Sequence, residues 1–299
     1  MYRDAIIIRP PCEAYSLLIG VTEGCSWTDR TGGCWFCGVY KGIQEYRIRP
    51  WESIKRDIDR GFQLHGKGVK HVFLAGGNAL SAPTSLLVQV IKYLNQKFPI
   101  ITRISSYAKN HDILQKNDEE LRELSTTYPG LKIVYMGLES GSAKLLKYMN
   151  KGTTPRGMIR AAKKIKGAGI KLSVYVILGL GGNLFPENAL ETAKVLTEMN
   201  PDYIRFRSLN FIPTAPLFMD WRRGDFKELR PVELINEEIE IIENLGENVT
   251  SSIFNDHVSN PIYVDGKLSE HKSDILNALK KAASDKRIQA LPHVNRTTM

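Results

Sequence analysis

The sequence predicts an α/β protein: a parallel sheet with crossover helices, closed into a partial (β/α) barrel or left as an open doubly wound sheet. Three observations carry this. Six short runs of β-branched, aromatic and apolar residues recur between Tyr15 and Leu209, as buried parallel strands do. Amphipathic stretches of helical period separate them. Glycine and small polar residues gather directly after the runs, in FLAGGN, SSYAKN, GLESGS, LGLGGN and SLNFIPT. Those are the strand ends at which a barrel exposes its chemistry.

In order, the strands are predicted over 15–22, 71–77, 101–107, 131–139, 170–180 and 201–209. The helices between them fall at 50–62, opened by Pro50 and closed near Gly61, then at 81–98, 117–128, 155–169 and 183–199. After residue 210 the rhythm changes. A long helix is expected over 228–246, a loop or short hairpin over 254–269, and a last helix over 270–286. The chain thus reads as an N-terminal segment (1–14), a core barrel (15–215), a mainly helical C-terminal extension covering the barrel (216–286) and a flexible tail (287–299).

Composition narrows the class. A chain of 299 residues can bury a core without disulfide staples, and four cysteines do not form a secreted scaffold. MYRDAIIIRPP does not resemble a signal peptide, and no run approaches the length of a membrane span. A soluble cytoplasmic protein with reduced thiols is expected. The net charge of +9 permits attraction to anionic groups. The basic residues are scattered, as in AAKKIKGAGIK, and read as solvated helix faces. Nucleic-acid binding is possible but not indicated, since no RNA-binding module is visible.

Three of the four cysteines stand in one loop, 25-CSWTDRTGGCWFC-37, directly after the first strand. Three thiols beside glycine and aromatics suggest a metal centre. Tetrahedral zinc would need a fourth ligand, to be recruited from Cys12, His65 or His71. A [4Fe–4S] cluster is normally held by four cysteines. Held by three, it keeps one iron open to a substrate or cofactor.

The segment GCSWTDRTGGCWFCGVYKG resembles the cluster loop of the radical S-adenosylmethionine (SAM) superfamily, whose usual spacing is C-x3-C-x2-C with an aromatic before the last cysteine. Cys34, Trp35, Phe36 and Cys37 match. The first spacing is eight residues instead of three, and longer first spacings occur in branches such as the Elongator catalytic subunit. FLAGGN (73–78) is similar to the glycine-rich motif that contacts the SAM amino group, which implies Gly76, Gly77 and Asn78, with Asn78 where an acid is common. YMGLESGSAKLLKYMNKG (135–152) resembles a fourth-strand segment of the methylthiotransferase, cobalamin-binding and coproporphyrinogen-oxidase-like branches, and implies Glu139 and Ser140 as SAM contacts. VYVILGLGGN (174–183) resembles the fifth-strand motif near adenine without its trailing acid, implying Gly179. RSLNFIPTAPLF (207–218) is similar to the sixth-strand segment whose backbone reads adenine, implying Leu209. PPCEAYSLLIGVTEGC and DHVSNPIYVDGKL resemble a bacterial and archaeal group of this superfamily with no assigned substrate.

The resemblance implies a partial (β/α)6 TIM-like barrel of the radical SAM type with a C-terminal mainly helical extension. It implies a [4Fe–4S] cluster on Cys25, Cys34 and Cys37, with SAM on the open iron and Phe36 near the adenine. Reductive cleavage of SAM would give methionine and a 5′-deoxyadenosyl radical that abstracts hydrogen from an organic substrate. An electron donor such as flavodoxin or ferredoxin is implied. An RNA-modifying enzyme and a non-catalytic zinc- or cluster-binding protein remain the alternatives.

Substrate residues are read from the later segments. FNDHVSN offers Asn255, Asp256, His257 and Asn260; His257 and Asp256 are the candidates to orient a substrate or move a proton, against a plain Asx-type turn. Arg205 and Arg207 share strand parity, so both point to one face, where they can meet an anionic substrate or else helices. Cys12 is a candidate hydrogen-atom donor or a small buried thiol. Tyr40 and Lys41 read as support for the cysteine loop.

Overall fold

The structure is a computed structural model and describes residues 8–292. A 3-10 turn over Pro11–Glu13 precedes β1 (Leu17–Gly20) and β2 (Thr22–Glu23), and the cysteine loop then winds into α1 (Ser26–Thr31). There follow β3 (Arg47–Ile48), α2 (Trp51–His65), β4 (His71–Ala75), α3 (Thr84–Lys97), β5 (Arg103–Ala108), α4 (Asn110–Gln115), α5 (Asp118–Thr126) and β6 (Leu131–Glu139). Next are α6 (Ala143–Tyr148), α7 (Pro155–Gly167), β7 (Lys171–Leu178), α8 (Asn188–Met199) and β8 (Tyr203–Ser208). The last stretch adds α9 (Pro216–Arg223), α10 (Pro231–Glu243), β9 (Ser252–Phe254), β10 (Asp265–Lys267), α11 (Leu268–Ser284) and α12 (Lys286–Gln289).

All six expected strands form. Their ends are trimmed where glycine, proline or a charged residue interrupts the apolar run, as at Gly76 and Pro201. The tail expected from 287 is helical as far as Gln289, because Asp285 caps α12 by accepting the Arg287 N–H at 2.8 Å. Residues 293–299 of that tail and 1–7 of the N-terminal segment lie outside the described residues. The expected hairpin over 254–269 exists as β9 against β10, but β9 also extends the sheet in parallel beside β8. Three residues are too short for periodicity to reveal a strand.

The chain divides into two compact units. The first comprises Met1–Gly33, Tyr40–Met136 and Arg160–Leu172; the second comprises Cys34–Val39, Gly137–Ile159 and Ser173–Met299. In the first, β1, β4, β5 and the start of β6 pair in parallel, with Leu17 opposite Val72, His71 opposite Arg103 and Ile104 opposite Leu131. Val72, Phe73 and Leu74 are fully buried in succession, as expected of a strand covered on both faces. The buried stripes of α2 (Ile54, Ile58) and α3 (Leu87, Val90, Ile91, Leu94) complete this core.

In the second unit β7, β8 and β9 pair in parallel, with Tyr175 opposite Arg205 and Arg205 opposite Phe254. Alternation divides them cleanly. Val174, Val176, Ile204, Phe206 and Ile253 are buried on one face, while Tyr175, Arg205, Arg207 and Phe254 stand on the other. A second cluster of Leu145, Met149, Ile177, Leu180, Phe211, Leu217 and Phe226 packs beyond the strand ends.

Candidate cofactor site

Cys25 belongs to the first unit, where β2 ends. Six of the eight residues between Cys25 and Cys34 form α1, which Gly32 closes in the left-handed conformation at φ 80. The backbone beside Cys25 is held by the end of β4. Gly77 donates its N–H to the Gly24 carbonyl at 3.0 Å, and a Cβ on Gly77 would lie 2.4 Å from that oxygen and 2.9 Å from the Cys25 Cβ. Gly76, at φ 136, abuts Thr22 in the same way. Asn78 is completely buried. Its amide donates to Ser26 Oγ at 2.7 Å and to both Asp112 oxygens at 3.1 Å, and its oxygen accepts the Ser26 N–H at 3.2 Å. Burial raises the Asp112 pKa, while the Lys109 N–H and the Asn78 amide oppose the shift. Gly76, Gly77 and Asn78 thus hold the Cys25 segment against β4.

Cys34 and Cys37 belong to the second unit. The Cys37 N–H donates to the Cys34 carbonyl at 3.1 Å, a tight turn. This turn is tied down on each side. Trp35 N–H donates to the Met149 carbonyl at 2.9 Å, Leu217 N–H to the Trp35 carbonyl at 3.0 Å, and Thr214 Oγ1 to the Gly38 carbonyl at 2.8 Å. Phe36 packs against the Leu145–Phe226 cluster.

Next to this turn sits an ion pair that sequence reasoning missed in half. Lys151 Nζ lies 2.6 Å from Glu139 Oε1, with both side chains 11% exposed. The same ammonium lies 5.7 Å from the Phe36 ring centre. Burial acts to lower the Lys151 pKa, but Glu139 and then the Cys34 thiol outweigh it, with Cys37 adding to them, and the net shift is upward. Lys151 is therefore a firm cation among two thiols and a carboxylate. Glu139 is one of three described non-glycine residues at positive φ, at 63. Its carboxylate folds back over Gly137, whose missing side chain makes the room: a Cβ there would lie 2.0 Å from Glu139 Oε1. A non-glycine residue held at positive φ costs on the order of 1 kcal/mol or more, which the surrounding contacts must offset. The signal for Lys151 was present as a lysine within the quoted 135–152 segment, but nothing in its spacing distinguished it from a solvated one.

Ser140 sits in a buried polar chain. Its hydroxyl donates to Asn188 Oδ1 at 2.5 Å, Asn188 Nδ2 donates to Glu237 Oε1 at 2.7 Å, and Glu237 Oε2 accepts the Gly179 N–H at 2.6 Å. Burial raises the Glu237 pKa, opposed by the Gly179 and Asn188 donors. The acid missing from the glycine motif after β7 is thus matched by a carboxylate from α10. Gly179 and Leu209 line a cavity of about 40 Å³ with Ser208, Phe211, Leu234 and Ser259. It has room for a few waters at most. The Leu209 N–H is bonded to the Leu178 carbonyl at 2.9 Å.

The remaining candidates fall in two places. Arg205 and Arg207 do share a face; Arg205 is buried, 3.4 Å from Asp256 Oδ1 and 4.6 Å from the Phe254 ring centre. His257 Nδ1 accepts the Ser259 N–H at 3.1 Å and lies 2.7 Å from Ser259 Oγ, which puts the neutral ring's proton on Nε2. Asn255 and Asn260 bond each other, and Asn260 clamps the loop to β8 by accepting the Ser208 N–H at 2.7 Å and donating to the Phe206 carbonyl at 2.9 Å. Cys12, by contrast, is exposed, with its sulfur 3.2 Å from the Tyr135 hydroxyl. It adjoins the fully buried Glu13, which accepts from Ser16, Ser105 (2.8 Å), Tyr135 (2.6 Å) and Arg103 (3.1 Å). Arg103 opens β5, so this network reaches the strand ends opposite to Gly76 and Gly77. Tyr40 is buried and lies near Gly77 in the first unit.

All four cysteines are free thiols. Among the described residues no group of three or more His, Cys, Asp and Glu side chains is placed to hold a metal ion. The fit to a cluster therefore rests on the chemistry of the donors: two thiols on one tight turn with the Lys151 cation near them, and a third on a braced segment.

A strand-helix chain with its polar groups at strand ends and a three-cysteine loop after the first strand defines a partial (β/α)6 barrel with a C-terminal helical region. The model of the radical SAM superfamily matches residues 19–196, and the chain belongs to that superfamily. It is 27% identical over 203 residues to an uncharacterized protein of Methanopyrus kandleri, covering 64% of this chain and 38% of that one. It is 26% identical over 183 residues to the ribosomal protein uS12 methylthiotransferase RimO of Caldanaerobacter subterraneus subsp. tengcongensis, covering 59% and 39%. Among solved structures, the archaeal Elp3 of Methanocaldococcus infernus shares the fold with a TM-score of 0.52 at 18% identity, over 78% of this chain and 59% of that one. The chain thus spans well under half the length of these two sequence relatives.

Proposed function

We propose that this chain is a radical SAM enzyme in which Cys25, Cys34 and Cys37 hold a [4Fe–4S] cluster and a small or medium organic substrate supplies a hydrogen atom. The observation that carries the proposal is the buried Lys151–Glu139 pair beside Cys34 and Cys37. A cluster held by three thiolates supplies, with SAM on its open iron, reductive cleavage of the sulfonium to methionine and a 5′-deoxyadenosyl radical. The protein's own part is to bind, orient and shield. Lys151 would balance thiolate charge and meet the carboxylate of the bound amino acid. Glu139, fixed by its backbone and by Gly137, would accept from the ammonium or ribose. Phe36 and the apolar cluster behind it would keep water from that side.

The unusual first spacing agrees with this reading. A six-residue helix rises only about 9 Å, which about three extended residues cover. The helix therefore uses six of the eight intervening residues on about the span of three extended ones, and Gly32 and Gly33 carry the chain on to Cys34. Anaerobic reconstitution tests the assignment. About four irons per chain and release of 5′-deoxyadenosine on reduction with SAM are expected, both lost in Cys34→Ala. Zinc without iron, or cleavage that survives Cys34→Ala, would refute it.

A further inference from the structure

The end of β8 carries charge that the cofactor reading does not use. Tyr203, Arg205 and Arg207 stand on the face opposite the buried Ile204 and Phe206. Arg205 is matched by Asp256 at 3.4 Å. Arg207, half-buried one strand repeat further on, has no ion-pair partner among the described residues. It sits opposite Ile177 of β7, an apolar neighbour that offers no acceptor. The loop after β9 brings His257 within electrostatic reach of it. That loop is not free to swing away: Ser208 N–H is bonded by both Asn260 Oδ1 at 2.7 Å and Ser259 Oγ at 3.1 Å. A guanidinium on a rigid strand, partly desolvated and without a carboxylate, is a fork for an incoming oxyanion.

We propose that Arg207, with His257 of the locked loop within electrostatic reach, is the binding site for an oxyanion of the substrate, a carboxylate or a phosphate. The Asp256–Arg205 pair keeps the neighbouring cation occupied, so that one guanidinium is left to the ligand. His257 reports on occupancy. Burial and then Arg207 push its pKa down to about 4, with Asp256 opposing them. An anion on Arg207 removes much of that cationic pressure, so His257 becomes easier to protonate. This assigns a substrate class to the site proposed above and rests on that proposal for its meaning, but binding can be read without any cluster.

The test is a histidine NMR titration of the full chain purified without iron, with His257 assigned through His257→Gln. Inorganic phosphate and acetate are added separately at constant ionic strength. A saturable shift of the His257 resonances is expected with at least one of the two, together with an upward move of its titration midpoint, and the stronger one identifies the oxyanion. Arg207→Gln should weaken that binding about tenfold or more, and Arg207→Lys should weaken it less. Saturable binding that is unchanged in Arg207→Gln, or no saturable shift with either anion, would overturn the proposal. Iron content and SAM cleavage test the radical SAM assignment independently.

Discussion

Gly137 shows how one residue's missing side chain can matter to chemistry. The atom that a Cβ would strike is the far end of the Glu139 side chain, so the backbone need not move. Gly137→Ala should therefore displace the carboxylate from Lys151 while the fold survives. We expect an unfolding free energy from urea titration within about 1 kcal/mol of wild type and SAM cleavage reduced at least about tenfold. Equal cleavage in the two proteins would show that the Glu139–Lys151 pair is structural. Asn78 is the companion case. The motif resemblance implies a SAM contact at a position where acids are common. Its neighbours supply a different reason for the amide: a carboxylate at 78 would face Asp112 inside a buried site, and two adjacent carboxylates cannot both ionise there.

At the scale of elements, α10 is the surprise. Its span was legible from the sequence, 228–246 against an observed Pro231–Glu243, and glutamates on a helix ordinarily face solvent. Packing turns Glu237 and Glu238 inward instead. Glu238 accepts from Asn255 Nδ2 at 2.6 Å, and its other oxygen is buried without a hydrogen-bond partner. Burial raises its pKa from 4.5 to about 8. The folded state therefore keeps a proton that the unfolded chain releases. This contribution to stability is whole below about pH 4.5 and is lost as pH rises through about 8. Unfolding free energies from urea titration should accordingly fall between pH 5 and pH 9 by an amount on the order of a few kcal/mol, and Glu238→Gln should flatten most of that slope. Parallel curves for wild type and variant would show that Glu238 is ionised in the fold. Helical periodicity could place α10 but could not orient it, because its charged and apolar residues are interleaved too closely to fix one buried face.

At the scale of the whole molecule, the segment after residue 215 behaves as part of the second unit. Its β9 supplies the edge partner of β8, and its Phe226 completes the apolar cluster behind Phe36. Ending the chain at Ala215 should expose an unpaired strand edge and an open core. We expect loss of soluble protein, and of cooperative melting in whatever remains soluble. A well-folded 1–215 fragment would mean that the C-terminal segment is dispensable to the core. Among the described residues no helix is long and apolar enough to cross a membrane.

The sequence by itself determined the strand-helix order, the family and the thiols that would bear a cluster. Those features are written locally, in apolar period, in turn residues and in fixed spacing along the chain. Only the tertiary structure decided that Lys151 meets Glu139 near two cysteines, that Asn78 braces Ser26, and that Glu237 reaches Gly179. Each of these joins residues from different elements, and in each the deciding quantity is burial: a charge is a solvated commonplace on the surface and a directed force once water is excluded. Burial belongs to the packed chain, and no stretch of letters states it in advance.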